Sequence, residues 1–202
     1  MTVQHSTTLR NAILDTFETT YGTSPKFRYY TGSPPATCAT AASGTLLVEI
    51  ACPSDWAAAA SGGSKAKSGT WSATASAGGV AGYYRIYDSA GSVCHEQGTV
   101  SQAITLATSA TTSAGSNVLT FASTTGVNDG DAVTGTGIET GTTVLSHTST
   151  TVTLSIASTA GVSSAVSITF GDTTGDLTIS NTTIGSGNTV TVDTFTRIAP
   201  GA

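Results

Sequence analysis

Apolar and polar positions alternate with a period of two through most of this chain, and a period near 3.6 holds in one place only. That place is residues 6–21, STTLRNAILDTFETTY, where Leu9, Ile13, Leu14, Phe17 and Tyr21 recur at spacings of three and four. Such spacing puts all five on one face of a helix. Ser6 or Thr7 is placed to cap its start, and Gly22 to end it in a left-handed conformation. A lone amphipathic helix must bury its stripe on a sheet or on a neighbouring subunit.

The remaining pattern predicts strands. Lys26 to Tyr30 alternates, Thr31-Gly-Ser-Pro-Pro35 reads as a turn, and Ala36 to Gly44 as a small-residue loop. Thr45 to Ala51 is the most hydrophobic run and is expected to be a central strand, ended by Pro53 to Trp56. Residues 57–69 read as an exposed connector, followed by a strand from Thr70 to Ala75. Tyr83 to Val100 predicts a hairpin, with Tyr83, Arg85 and Tyr87 alternating against Tyr84 and Ile86 before the turn Asp88-Ser-Ala-Gly91. About five strands before Val100 predict a jelly-roll-like or sandwich base domain with the helix packed on it.

Beyond Val100 the pattern changes character. From Ser101 to Gly171 the chain is almost entirely Thr, Ser, Gly, Ala and Val, with no Lys or Arg. Leu119-Thr-Phe-Ala-Ser-Thr-Thr-Gly-Val127 aligns without gaps on Leu154-Ser-Ile-Ala-Ser-Thr-Ala-Gly-Val162, with six of nine positions identical. Chance similarity in a biased composition is the competing explanation. Asp131 to Val133, Thr142 to Leu145 and Thr150 to Leu154 are expected strands of a compact all-β module. Gly171 to Gly175 is read as its closing turn. Asp176 to Ile179, Thr189 to Asp193 and Phe195 to Ile198 supply final strands in the style of the first part. The expected organisation is a discontinuous β base domain, 1–104 and 172–202, carrying an inserted module at 105–171. Pro is absent from residue 54 to 199, which suits uninterrupted ladders.

Composition narrows the function more than it names it. Charged residues are 9%, against roughly 25% in an average soluble domain. The net charge of −5 is uneven: residues 1–100 hold six Lys/Arg and six Asp/Glu, whereas 101–202 hold Arg197 against six acids. No basic stripe exists to neutralise phosphates, which excludes nucleic-acid binding of that kind. No run of about 20 apolar residues predicts a membrane span. MTVQHSTTLR lacks the pattern of a secretory signal, so synthesis in a cytoplasm is expected. Cys38, Cys52 and Cys94 cannot all pair within one chain and fit no zinc or CxxC spacing, so free buried thiols are expected.

Candidate chemistry is sparse. Cys94-His95-Glu96 holds a possible nucleophile beside a base, but neighbours on a strand point to opposite faces, so these read as ordinary strand residues. Asn128-Asp-Gly-Asp131 has the start of a calcium loop without its later ligands, and reads as a turn. His5 and His147 stand alone, and Asp172 and Asp176 read as turn-flanking residues. No nucleophile elbow, phosphate loop or HExxH is present. A non-enzymatic protein with no catalytic residue, no metal and no cofactor is expected.

A set of ordered segments carries a family resemblance. They are Leu9 to Asp15, Lys26 to Gly32 with Pro34-Pro35, Ser43 to Leu47, Gly82 to Tyr87, Gln97 to Val100, and the tail Gly175 to Ile179 with Val190 to Val192 and Phe195-Thr196. Together they resemble small virion structural proteins of tailed bacteriophages. The resemblance covers 6–104 and 172–200 and implies a capsid decoration (cement) protein on the capsid exterior, made in the host bacterial cytoplasm. It implies the major capsid protein and further copies of the chain as partners, with no nucleic acid and no membrane. Capsid or subunit contact is expected through Leu9, Ile13, Phe17, Phe27 and Tyr29. The Thr-rich module is similar to modules of phage fibres and bacterial surface proteins, so a tail fibre or spike binding a host-surface glycan or protein is the alternative. The segment ending at Val100 is expected to pair with Asp176 to Ile179 after the excursion.

Overall fold

The computed structural model describes residues 4–171, 176–179 and 181–199. Chain order runs α1 (Thr7–Tyr21), β1 (Lys26–Thr31), β2 (Leu46–Ala51), β3 (Ser64–Ala66), β4 (Trp71–Thr74), β5 (Gly79–Tyr87) and β6 (Cys94–Ala107). Then follow β7 (Val118–Thr120), β8 (Val133–Gly135), β9 (Val144–His147), β10 (Thr151–Leu154) and β11 (Ser167–Gly171). Last come β12 (Leu177–Ile179), β13 (Thr183–Ile184), β14 (Thr189–Val192) and β15 (Thr196–Ile198). The protein is mainly β, with one helix and several antiparallel sheets, and is compatible with a β-sandwich. The chain divides into two compact units, residues 1–98 with 184–202, and residues 99–183.

In the first unit the strand order is β2, β1, β5, β6. Phe27 lies opposite both Ile50 and Ile86, and Tyr29 opposite Val48 and Tyr84, so one face of three strands joins in a single apolar layer. Phe27, Leu47, Val48 and Ile50 are fully excluded from solvent. Trp71 of β4 and Phe195 extend the layer, with ring centroids 6.0 Å from Phe27. β2, expected to be central, instead stands at the end of this order.

The other face of β5 is buried as well, since every residue from Tyr83 to Tyr87 is inaccessible. The loop 33–44 covers it. Arg85, only 1% exposed, donates from Nη2 to the carbonyls of Thr37 and Thr40 at 3.0 and 2.7 Å. Tyr83 Oη donates to the Ser43 carbonyl at 2.5 Å and accepts from the Ser43 N–H at 3.0 Å. The hairpin turn closes as expected: Asp88 accepts from the amides of Ser92 and Val93, and Gly91 supplies the positive φ of 74°.

The helix begins with Ser6 accepting from the Leu9 amide and ends at Gly22 with φ 74°. Its buried face differs from the expected stripe. Leu14 and Tyr21 are buried, but Leu9 and Ile13 are 46% and 38% exposed. The contacting positions include 10, 11, 14, 15, 17, 18 and 21, a mixed polar and apolar stripe. Asn11 accepts from the Gly63 amide, and Asp15 and Glu18 pair with Lys65 Nζ at 2.8 and 2.9 Å. Lys65 lies on β3 and is 4% exposed, so a packed strand interrupts the connector expected at 57–69, where Ala58, Ala59, Ser61 and Gly62 stay exposed. The helix turned toward that strand because a buried ammonium requires carboxylates.

In the second unit β6, β11 and β8 form one antiparallel sheet, with Ile104 opposite Phe170 and Leu106 opposite Ile168. β7, β10 and β9 form another, with Leu119 opposite Val152. Their apolar residues share one core, where Phe121 and Phe170 meet edge to face at 5.4 Å. The repeat is retained at its ends: Leu119, Leu154, Val127 and Val162 are all in this core. Its middle diverges, with Phe121 buried and Ile156 40% exposed. The expected return pairing is met at Val100 alone and lies further along the strand, as a parallel ladder of Leu177 with Val100 and Ile179 with Gln102. Those residues belong to this second unit, so the division falls at 98/99 and 183/184, outside the expected 105–171. Beyond Gly171, the expected closing turn to Gly175 lies outside the described residues, as does Asp172.

Candidate functional site

The second unit carries a polar groove organised by one buried side chain. Gln102 of β6 is 3% exposed, and both ends of its amide are occupied. Oε1 accepts from the Thr182 amide at 2.7 Å, the Thr182 hydroxyl at 3.1 Å and Asn128 Nδ2 at 3.2 Å. Nε2 donates to the Gly126 carbonyl and to Asp131 Oδ2. A buried amide with all partners satisfied fixes what it touches, and here it fixes residues 126–131 against 182.

Above that anchor lies a groove of about 580 Å³, lined by Ser123, Thr125, His147, Ser149, Asn181 and Thr183 among others. Thr124 ties its floor to its wall, donating to the Thr148 carbonyl. His147 Nδ1 stands 2.8 Å from Asp129 Oδ1. The groove therefore presents hydroxyls and amides around one imidazole, which suits a neutral, hydrogen-bonding ligand.

Asn128-Asp-Gly-Asp131 forms a self-satisfied turn. The Asp131 carboxylate accepts from the Asn128 amide at 2.8 Å and from Gln102, which engages it inside the fold. Among the described residues no group of three His, Cys, Asp or Glu side chains could hold a metal ion. No described helix is long and apolar enough to cross a membrane.

The tripeptide Cys94-His95-Glu96 lies in the first unit and is split as strand geometry dictates. Cys94 packs with Tyr30, Tyr83 and Tyr87, while His95 stacks on Tyr21 with ring centroids 5.2 Å apart. Glu96 joins His95 against Tyr21, so strict alternation breaks there. Its carboxylate accepts from Tyr21 Oη at 2.7 Å and Tyr84 Oη at 2.6 Å and pairs with Arg197. Burial pushes the Tyr21 hydroxyl up to about 12, and the same cause, with the Cys38 thiol beside it, pushes Cys94 up to about 12. A protonated thiol and a saturated carboxylate make a brace between helix and hairpin.

The residues expected to contact a capsid are not equivalent. Phe27 and Tyr29 are 0% and 2% exposed, so the core already uses them and they are withdrawn as contact residues. Phe17 is half-buried, with the Arg197 guanidinium 4.8 Å from its ring centre. Leu9 and Ile13 remain on the surface. Of the three thiols, Cys52 is buried, but Cys38 and Cys94 are only partly so.

Comparison with protein-family models, with curated proteins and with solved structures finds no match to this chain.

Proposed function

We propose that this chain is a non-enzymatic structural protein of a tailed-phage particle, a decoration protein that binds and stabilises the outer capsid surface. The observation that supports this reading is the partition of charge between the two units. The first holds seven Lys/Arg against seven Asp/Glu, and the second holds no Lys/Arg against five acids. The cations of the first unit are spent internally. Lys26 and Arg28 pair with Glu49, Lys65 with Asp15 and Glu18, and Arg197 with Glu96. Arg10 and Lys67 reach main-chain carbonyls, and Arg85 is buried. Such a unit offers a partner apolar and backbone contacts, and Leu9 and Ile13, one helical turn apart, are exposed to make them.

In this reading the base domain is jelly-roll-like and the Thr-rich module is an insertion that faces solvent. The partners are the major capsid protein and further copies of this chain. No nucleic acid, membrane or cofactor takes part. The protein is made in the host bacterial cytoplasm and resides on the capsid exterior. Quantifying its copies in purified particles tests the reading: hundreds are expected, and a handful would sink it.

The groove favours a second reading, a fibre or spike component binding a host-surface glycan or protein. Filling it with Ser149→Trp should then abolish adsorption to host cells. Unaltered adsorption by particles carrying that variant would leave decoration as the better account.

A further inference from the structure

Loop 33–44 is held over the face of the hairpin that carries Arg85, Gln97 and Cys94. Arg85 Nη2 reaches the carbonyls of Thr37, Cys38 and Thr40, and Gln97 Nε2 donates to the Pro35 carbonyl at 2.5 Å. Cys94 begins β6 three residues before Gln97 and packs beside Tyr83 and Tyr87, the residues that flank Arg85 on its face. The loop contacts thus place Cys38 beside Arg85, on the face where Cys94 packs, and the Cys38 side chain is among the groups that act on the Cys94 thiol. Both are partly exposed, whereas Cys52 is sequestered at 4% exposure.

We infer that Cys38 and Cys94 are a reversible disulfide site, reduced when the protein is made and closed by a disulfide-class oxidant such as oxidised glutathione. The Cys38 thiolate attacks the oxidant, forming a mixed disulfide and releasing one glutathione thiolate. The Cys94 thiolate then attacks the Cys38 sulfur and releases the second. The two protein thiols lose two protons and two electrons, and one glutathione disulfide becomes two glutathiones. Partial burial holds the proton on the Cys94 thiol, so the second step accelerates as pH rises. A reducing cytoplasm keeps the pair open, and an oxidising exterior closes it. Only that timing rests on the particle reading; the bond does not.

The purified full chain, incubated natively with oxidised glutathione at pH 8, is the sample. Free thiols should fall from three to one, with loss of two hydrogens in mass and no dimer. The Cys52→Ala variant should lose both of its thiols, whereas Cys38→Ser should form no intramolecular bond. Dithiothreitol should restore the count. Three persistent thiols, a stable glutathione adduct, a bond to Cys52 or a disulfide-linked dimer would each overturn the inference. Closure in a protein absent from particles would keep it and remove the proposed function instead.

Discussion

Arg85 and Gln97 meet across the hairpin, with Nε and Nη2 of the arginine donating to Gln97 Oε1 at 3.0 and 2.8 Å. The same guanidinium carries the carbonyls of loop 33–44. Arg85→Met keeps most of the volume and removes every donor. Each buried acceptor left without its donor costs roughly 1–3 kcal/mol, and a loss of at least that size is expected in urea unfolding followed by tryptophan fluorescence. Arg85→Lys should recover little of it, because a point ammonium cannot replace a fork. A loss below about 1 kcal/mol, the net worth of one ordinary hydrogen bond, would mean the loop is held by other contacts.

Gln102 is the corresponding fastener of the second unit. Gln102→Leu leaves the buried Thr182 amide without its partner, at roughly 1–3 kcal/mol for a buried group so orphaned. Trp56, Trp71 and all six Tyr residues lie in the first unit. Fluorescence therefore reports that unit alone, while far-ultraviolet circular dichroism reports both. The variant should show an early transition by dichroism with the fluorescence transition unmoved. Coincident shifts would show that the two units unfold as one.

Acid should destabilise the first unit through specific carboxyls. The hydrogen bond from Lys65, then that from the Ala60 amide, holds Asp15 below the ordinary carboxylate range, and the amides of Val93 and Ser92 do the same for Asp88. At Glu49, burial acts upward, but Lys26 and Arg28 outweigh it and the net shift is down. A carboxyl depressed in the folded state contributes stability that is complete above its unfolded value near 4. That contribution is lost as pH falls through the folded value. The urea midpoint should therefore stay level from pH 8 to 5 and fall below pH 4. Lys65→Met should flatten that fall; an unchanged acid slope would assign it to other groups.

The exposed helix positions separate binding from folding. Leu9→Asp and Ile13→Asp alter side chains that the fold leaves in water, so stability should change by less than about 0.5 kcal/mol, as surface substitutions do. Copies on purified particles should nonetheless drop at least tenfold. Full occupancy by both variants would remove α1 from the capsid contact.

The hairpin was legible because its signals are local: alternating tyrosines, then an Asp-to-Gly turn whose carboxylate caps its own loop. The helix was legible in extent but misread in facing. Apolar spacing selects Leu9 and Ile13, whereas the buried cation Lys65, 50 residues beyond Asp15, turns Asp15 and Glu18 toward it. The connector at 57–69 hid its role for the same reason, since small residues pack as readily as they loop. Gln102 gave one weak cue, a long amide among threonines. Nothing local marks its partner Thr182, which lies 80 residues and six strands further on.

Loop 33–44 is gripped almost wholly by its main chain: carbonyls at Pro35, Thr37, Cys38, Thr40 and Ser43, and the Ser43 amide. Atoms that every residue possesses place no demand on side-chain identity. Outside Cys38 and Gly44, which has a φ of 74° and where a Cβ would run into the Thr31 carbonyl, that stretch is free to drift in sequence while its length stays fixed, so homologues should diverge there first without gaps. It is also the place where a short epitope could be written residue by residue into the protein without disturbing its fold.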